Sequence, residues 1–82
     1  VTVRYVIHLP VAVDNLASAR LFARAVTRSL AFLPEVDAGE ATVSREDEQG
    51  VRHRVFCDRL LPGRRRCALR ADHDGRCVPK PG

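Results

Sequence analysis

The chain has 82 residues, 45% of them apolar, with one tyrosine, three phenylalanines and neither tryptophan nor methionine. That is enough for one small domain whose core is marginal without a staple. Residues 1–50 carry five arginines against seven acids, and residues 51–82 carry eight arginines and one lysine against three acids, so a near-neutral body leads into a basic end within a net charge of +4. No apolar run reaches the roughly 18 residues of a membrane span, and the expected class is a small non-membrane protein whose basic end favours anionic partners.

Val1 to Leu9 alternates, with Val1, Val3, Tyr5, Ile7 and Leu9 on one face and Thr2, Arg4, Val6 and His8 on the other, which predicts a first strand with one buried face. Ala17-Ser18-Ala19 resembles a signal-peptidase site, but His8, Pro10 and Asp14 interrupt the stretch before it. The expected compartment is therefore the reducing cytoplasm. Asp14 stands where an N-cap should, ahead of Leu16, Ala19, Ala23, Val26, Leu30 and Leu33, whose three- and four-residue steps predict an amphipathic helix ended by Pro34. Arg20, Arg24 and Arg28 recur every fourth residue on another face, expected to meet solvent.

Glu40 to Arg45 is a second expected strand, Glu46 to Gly50 a hairpin loop, and Val51 to Cys57 a third strand. The predicted fold is α+β: a βαββ core over residues 1–56, a zinc-binding loop region over 57–77 and a frayed tail over 78–82, all in one domain. The right-handed crossover between the first two strands places the third between them, in order 1-3-2, with the long helix on the face bearing Val3, Tyr5 and Ile7.

After Cys57 the chain is arginine, proline, glycine and aspartate with isolated leucine and valine, too little apolar surface to order itself. The same stretch contains all three cysteines in the order C-x9-C-x5-H-x3-C: Cys57, Cys67, His73 and Cys77. Three thiolates and an imidazole form a closed tetrahedral zinc set, and structural zinc supplies roughly 10–16 kcal/mol of apparent binding in finger peptides. Leu60-Leu61-Pro62-Gly63 turns the chain so that Cys67 returns beside Cys57, and Asp72 or Asp74 is placed to orient the imidazole. A disulfide with one free thiol, or three unrelated thiols, remain the alternatives. His53, four residues before Cys57 and on the same strand face, rivals His73 as fourth ligand.

The ligand order C, C, H, C is loosely similar to that of zinc knuckles, without their short spacing. The segment Cys67-Ala68-Leu69-Arg70-Ala71-Asp72-His73-Asp74-Gly75-Arg76-Cys77 resembles a C-x-L-x3-H-x-G-x-C pattern in small uncharacterised proteins of high-GC actinobacteria and their phages. That resemblance implies metal binding and brings no activity with it.

With four protein ligands a metal has no open position, no serine has a base placed beside it, and no glycine-rich phosphate loop exists, so the chain reads as a non-enzyme without a small-molecule substrate. Arg64, Arg65 and Arg66 lie between the first two ligands, where a metal would fix both ends of the loop that presents them. Arg52, Arg54, Arg59, Arg70 and Arg76 extend the patch. The expected role is a zinc-stabilised module binding DNA or RNA through this basic end. The alternative is a protein adaptor or homodimer with a purely structural zinc.

Overall fold

In the computed structural model, which describes residues 2–79, the regular elements run α1 (Leu16–Ser29), a single 3-10 turn (Ala38–Glu40), β1 (Thr42–Val43), β2 (His53–Arg54), β3 (Leu60–Leu61) and β4 (Arg65–Arg66). The fold is mixed α+β, but the sheet differs from the expected one. β1 and β2 form one antiparallel pair, with Thr42 opposite Arg54 and Val43 opposite His53, and β3 and β4 form another, with Leu60 opposite Arg66 and Leu61 opposite Arg65. Among the described residues there is no three-stranded sheet and no 1-3-2 order. The second and third expected strands do pair as a hairpin around residues 46–50, at only two residues each.

Residues 2–13 form no strand. Their alternation fixes which side chains share a face but supplies no partner, and they pair with neither hairpin. Tyr5 and Ile7 are 85% and 89% exposed. The segment is tied down by Arg4, whose guanidinium reaches Asp37 at 3.2 Å and also the Glu40 carboxylate.

Asn15, not Asp14, caps α1: its backbone is extended and its side-chain oxygen accepts the Ser18 N–H at 2.8 Å. The helix stops at Ser29, before Pro34 is reached. The Thr27 hydroxyl donates to the Ala23 and Arg24 carbonyls and that of Ser29 to the Ala25 carbonyl, and hydroxyls bonded back to the preceding turn weaken a helix. Three-residue turns through Leu30, Ala31, Leu33 and Val36 then lead down to Pro34 and beyond.

α1 packs against β1. Its half-buried positions are Ser18, Ala19, Arg20, Ala23, Arg24, Val26 and Thr27, while Leu16 and Leu30 stay exposed. Of the arginine row, Arg28 is exposed as expected but Arg20 and Arg24 are half-buried, and Arg20 turns inward because Asp72 accepts from its Nη1 at 2.9 Å.

Among the described residues the buried hydrophobic ones are Val55, Phe56 and Cys67, so the small core lies where the second hairpin meets the last segment. The total accessible surface is 7060 Å², against about 4,900 Å² for a folded protein of this size. Of the 78–82 tail, residues 80–82 lie outside the described residues, while Pro79 bridges Cys67 and the Val78 carbonyl accepts the Ala68 N–H at 2.8 Å.

Candidate metal centre

Two backbone devices bring Cys57 and Cys67 together. Phe56 is bridged to Arg70, and the Cys57 N–H donates to the Leu69 carbonyl at 2.9 Å, which sets the end of the β2 segment against the tail. Asp58 then takes a positive φ of 52°, and its N–H bonds to the Cys67 carbonyl while the Cys67 N–H bonds to Arg59. Beyond it, Pro62-Gly63 reverses the chain, with φ of 80° at Gly63, the left-handed value that the third position of a type II turn requires. The hairpin β3–β4 thus starts and ends on a ligand.

The second pair of ligands comes from the loop after Ala71. The His73 N–H bonds to the Arg70 carbonyl at 3.2 Å, and Gly75, at a φ of 79°, turns the chain so that Cys77 faces His73. His73 Nδ1 lies 3.2 Å from the Asp74 carbonyl and donates its proton there, which leaves Nε2 as the free lone pair. The expected orienting carboxylates do not act: Asp74 contributes its backbone oxygen, and the Asp72 carboxylate is engaged by Arg20.

The ligand atoms of Cys57, Cys67, His73 and Cys77 all lie within 4.8 Å of one another. Cys57 Sγ is 3.9 Å from Cys77 Sγ, Cys67 Sγ is 3.5 Å from His73 Nε2, and Cys77 Sγ is 3.8 Å from His73 Nε2. A tetrahedron with metal–sulfur bonds near 2.3 Å and metal–nitrogen bonds near 2.0 Å has edges of about 3.5–3.8 Å, so the donor set fits a metal ion. No disulfide is formed: all three cysteines are free, and the 3.9 Å between Cys57 Sγ and Cys77 Sγ is well beyond the roughly 2.05 Å of a sulfur–sulfur bond. His53 sits on β2 opposite Val43 and is not in the cluster; His73 is the fourth member.

The protons are distributed unevenly. Burial pushes the Cys67 thiol up, but backbone hydrogen bonds from Leu69 and Val78 and the thiols of Cys77 and Cys57 outweigh it and bring Cys67 down to about 7. Burial, reinforced by the neighbouring thiols, pushes Cys77 up to about 11. The hydrogen bond to Cys57, followed by that to the Asp74 carbonyl, holds His73 above its ordinary value. A cation entering here meets one thiolate that forms easily and displaces protons from the other groups.

The expected nucleic-acid residues scatter more than their sequence positions suggest. Arg64 lies in the turn at a φ of 60°, while Arg65 and Arg66 are strand β4 rather than loop, and adjacent strand residues point to opposite faces. Arg66 donates to the Asp58 carbonyl at 3.1 Å, and Arg54 stands 3.7 Å from the Asp58 carboxylate. Arg52, Arg54 and Arg70 are exposed, as are Arg64, Arg65 and Arg66. Arg20 and Arg24, which the sequence placed in solvent, instead line a cavity with Arg70. No linear pattern links a helical row to a residue about fifty positions later. Compared with known protein families, curated proteins and solved structures, the chain matches none.

Proposed function

We propose that this chain is a zinc-stabilised binding module whose basic C-terminal surface engages nucleic acid. The observation that carries the reading is the convergence of three thiols and one imidazole at tetrahedral edge distances. Soft thiolates with one imidazole in a tetrahedron select zinc over harder cations. Four protein ligands close the coordination sphere, so the metal's role is structural and the protein is not an enzyme. Three thiolates give the zinc site a net charge of −1, and the surrounding arginines offset it.

The nucleic-acid part rests on the hairpin that the two ligands bracket. Its exposed Arg64, Arg65 and Arg66 are presented from a segment pinned at Cys57 and Cys67, so ordering them against phosphates costs little further entropy. Arg52, Arg54 and Arg70 enlarge the positive surface. Native mass spectrometry tests the metal: one zinc on the protein, lost in Cys67→Ser, is expected. A labelled duplex tests the surface: binding should weaken steeply with salt and disappear when Arg64, Arg65 and Arg66 are all replaced by alanine. Undiminished binding by that variant would remove the nucleic-acid reading.

The exposed apolar segment at residues 2–13 favours a second reading, a homodimer or protein adaptor with the same structural zinc. The surface in excess of a folded monomer's, roughly 2,000 Å², is of the order that a stable interface buries. Sedimentation at several concentrations decides it, since a concentration-independent monomer contradicts the dimer.

A further inference from the structure

A cavity of about 400 Å³ lies between the inner face of α1 and the short segment that precedes His73. Arg20 and Arg24 line it from the helix, Arg70 and Asp72 from the tail, and Val55 closes part of its floor. Three guanidiniums face one carboxylate, so the lining carries a net charge of +2. Asp72 meets only part of this demand: its Oδ2 accepts from Arg20 Nη1 at 2.9 Å. Arg20 Nε is removed from solvent and has no hydrogen-bond partner among the described residues. A desolvated N–H on a charged group is costly unless an acceptor reaches it.

The guanidiniums of Arg20, Arg24 and Arg70 lining one cavity favour an anionic ligand with several acceptor oxygens. A phosphate monoester offers three acceptor oxygens and about two negative charges at neutral pH, and guanidinium forks match its geometry. We propose that this cavity is a binding site for the phosphate group of a phosphate monoester, held by Arg20, Arg24 and Arg70, with Asp72 as the resident competitor for Arg20. The site uses none of Arg64, Arg65 or Arg66 and needs no duplex. It rests on the proposed zinc reading in one respect: the metal cluster holds the segment from Arg70 to His73 in place.

The test titrates zinc-loaded protein with inorganic phosphate and then ribose 5-phosphate at constant chloride, following arginine Nε–H and backbone amide resonances. Saturable shifts are expected at Arg20 Nε–H and at the amides of residues 70–72, with no comparable change at Arg59. Arg70→Gln should weaken binding about tenfold. Asp72→Asn should strengthen it several-fold by releasing Arg20 to the ligand, an effect that a merely structural ion pair would not produce. Shifts of equal size at all arginines, or equal losses in Arg70→Gln and Arg59→Gln, would overturn the site. So would unchanged affinity in Asp72→Asn. An oligonucleotide whose 5′-phosphate adds to the shifts at residues 70–72, relative to the same oligonucleotide without it, would support the site and assign the monoester to a nucleic-acid end; shifts there from ribose 5-phosphate alone would support it and assign a free phosphorylated small molecule. Absence of zinc in the mass spectrum, or of a duplex shift, bears on the proposed function and is read separately from this titration.

Discussion

Residues 2–13 contain seven large apolar side chains, each at least 40% exposed, whereas all three buried hydrophobic residues lie between Val55 and Cys67. The segment richest in hydrophobic residues is thus the least covered, and the core gathers instead beside the ligand cluster. Hydrophobic supply alone does not order a chain of this size. What distinguishes the tail is a set of ligands that converge on one point and fix the backbone between them. The contrast predicts that the tail depends on a bound metal and that the apolar side chains of residues 2–13 add little to the stability of the rest.

Breaking the cluster should have the largest effect. Chelation, or Cys67→Ser, removes a binding free energy of roughly 10–16 kcal/mol by analogy with finger peptides. The pairing of β3 with β4 and the bridges Phe56–Arg70 and Cys67–Pro79 should then be lost. In amide hydrogen exchange, residues 55–79 should lose protection while α1 changes little. Retained protection in the chelated protein would show that the tail is held by packing alone.

Acid should act in the same direction. With Cys77 at about 11, metal uptake at neutral pH expels its proton, and that displacement alone makes affinity fall about tenfold per pH unit as pH drops. Below about 7 the Cys67 thiolate is protonated as well, so the loss should steepen there, and a chelator competition run at several pH values reads both slopes. For the fraction of metal-free protein that keeps its fold, the signs separate. Cys67, depressed from 9.0, contributes stability that is full above 9.0 and lost as pH falls through about 7. Cys77, raised from 9.0, contributes stability that is full below 9.0 and lost as pH rises through about 11.

Within the tail, Phe56→Ala should cost about 3–5 kcal/mol, because Phe56 is buried and its backbone is bridged to Arg70. Gly39→Ala should cost about 1–3 kcal/mol by overpacking. An added Cβ there would lie 2.4 Å from Asp58 Oδ1, and the Asp58 side chain is only 12% exposed beside the first ligand. Denaturant melts of the zinc-loaded protein compare the two. A Gly39→Ala protein as stable as the parent would mean that the turn after Cys57 yields freely.

The metal cluster was legible in the sequence because coordination chemistry restricts ligands to a few residue types, and the chain holds only three cysteines. The choice between His53 and His73 was not, since strand spacing and loop spacing each allow a ligand; the Gly75 turn decides it by facing Cys77 toward His73. The hairpin around residues 46–50 was legible from its acidic, glycine-ended loop. The N-terminal strand was misread because alternation specifies faces and not partners. The place of Arg20 was misread because periodicity cannot show that Asp72 reaches back across the fold to it.

The smallest expected effect sharpens the contrast most. Ile7→Ser replaces a side chain that is 89% exposed, and a surface change of this kind usually alters stability by no more than about 0.5 kcal/mol. A melt of the variant at low concentration should therefore overlay that of the parent. If residues 2–13 pair with a second copy, the same variant must lower the dimer fraction at high concentration, because the apolar face that the pairing would bury has lost its most exposed member. An unchanged melt with a changed sedimentation profile assigns this segment to association. A destabilised monomer would mean that the N-terminal alternation is covered within one chain after all, and the contrast between the two ends would fail.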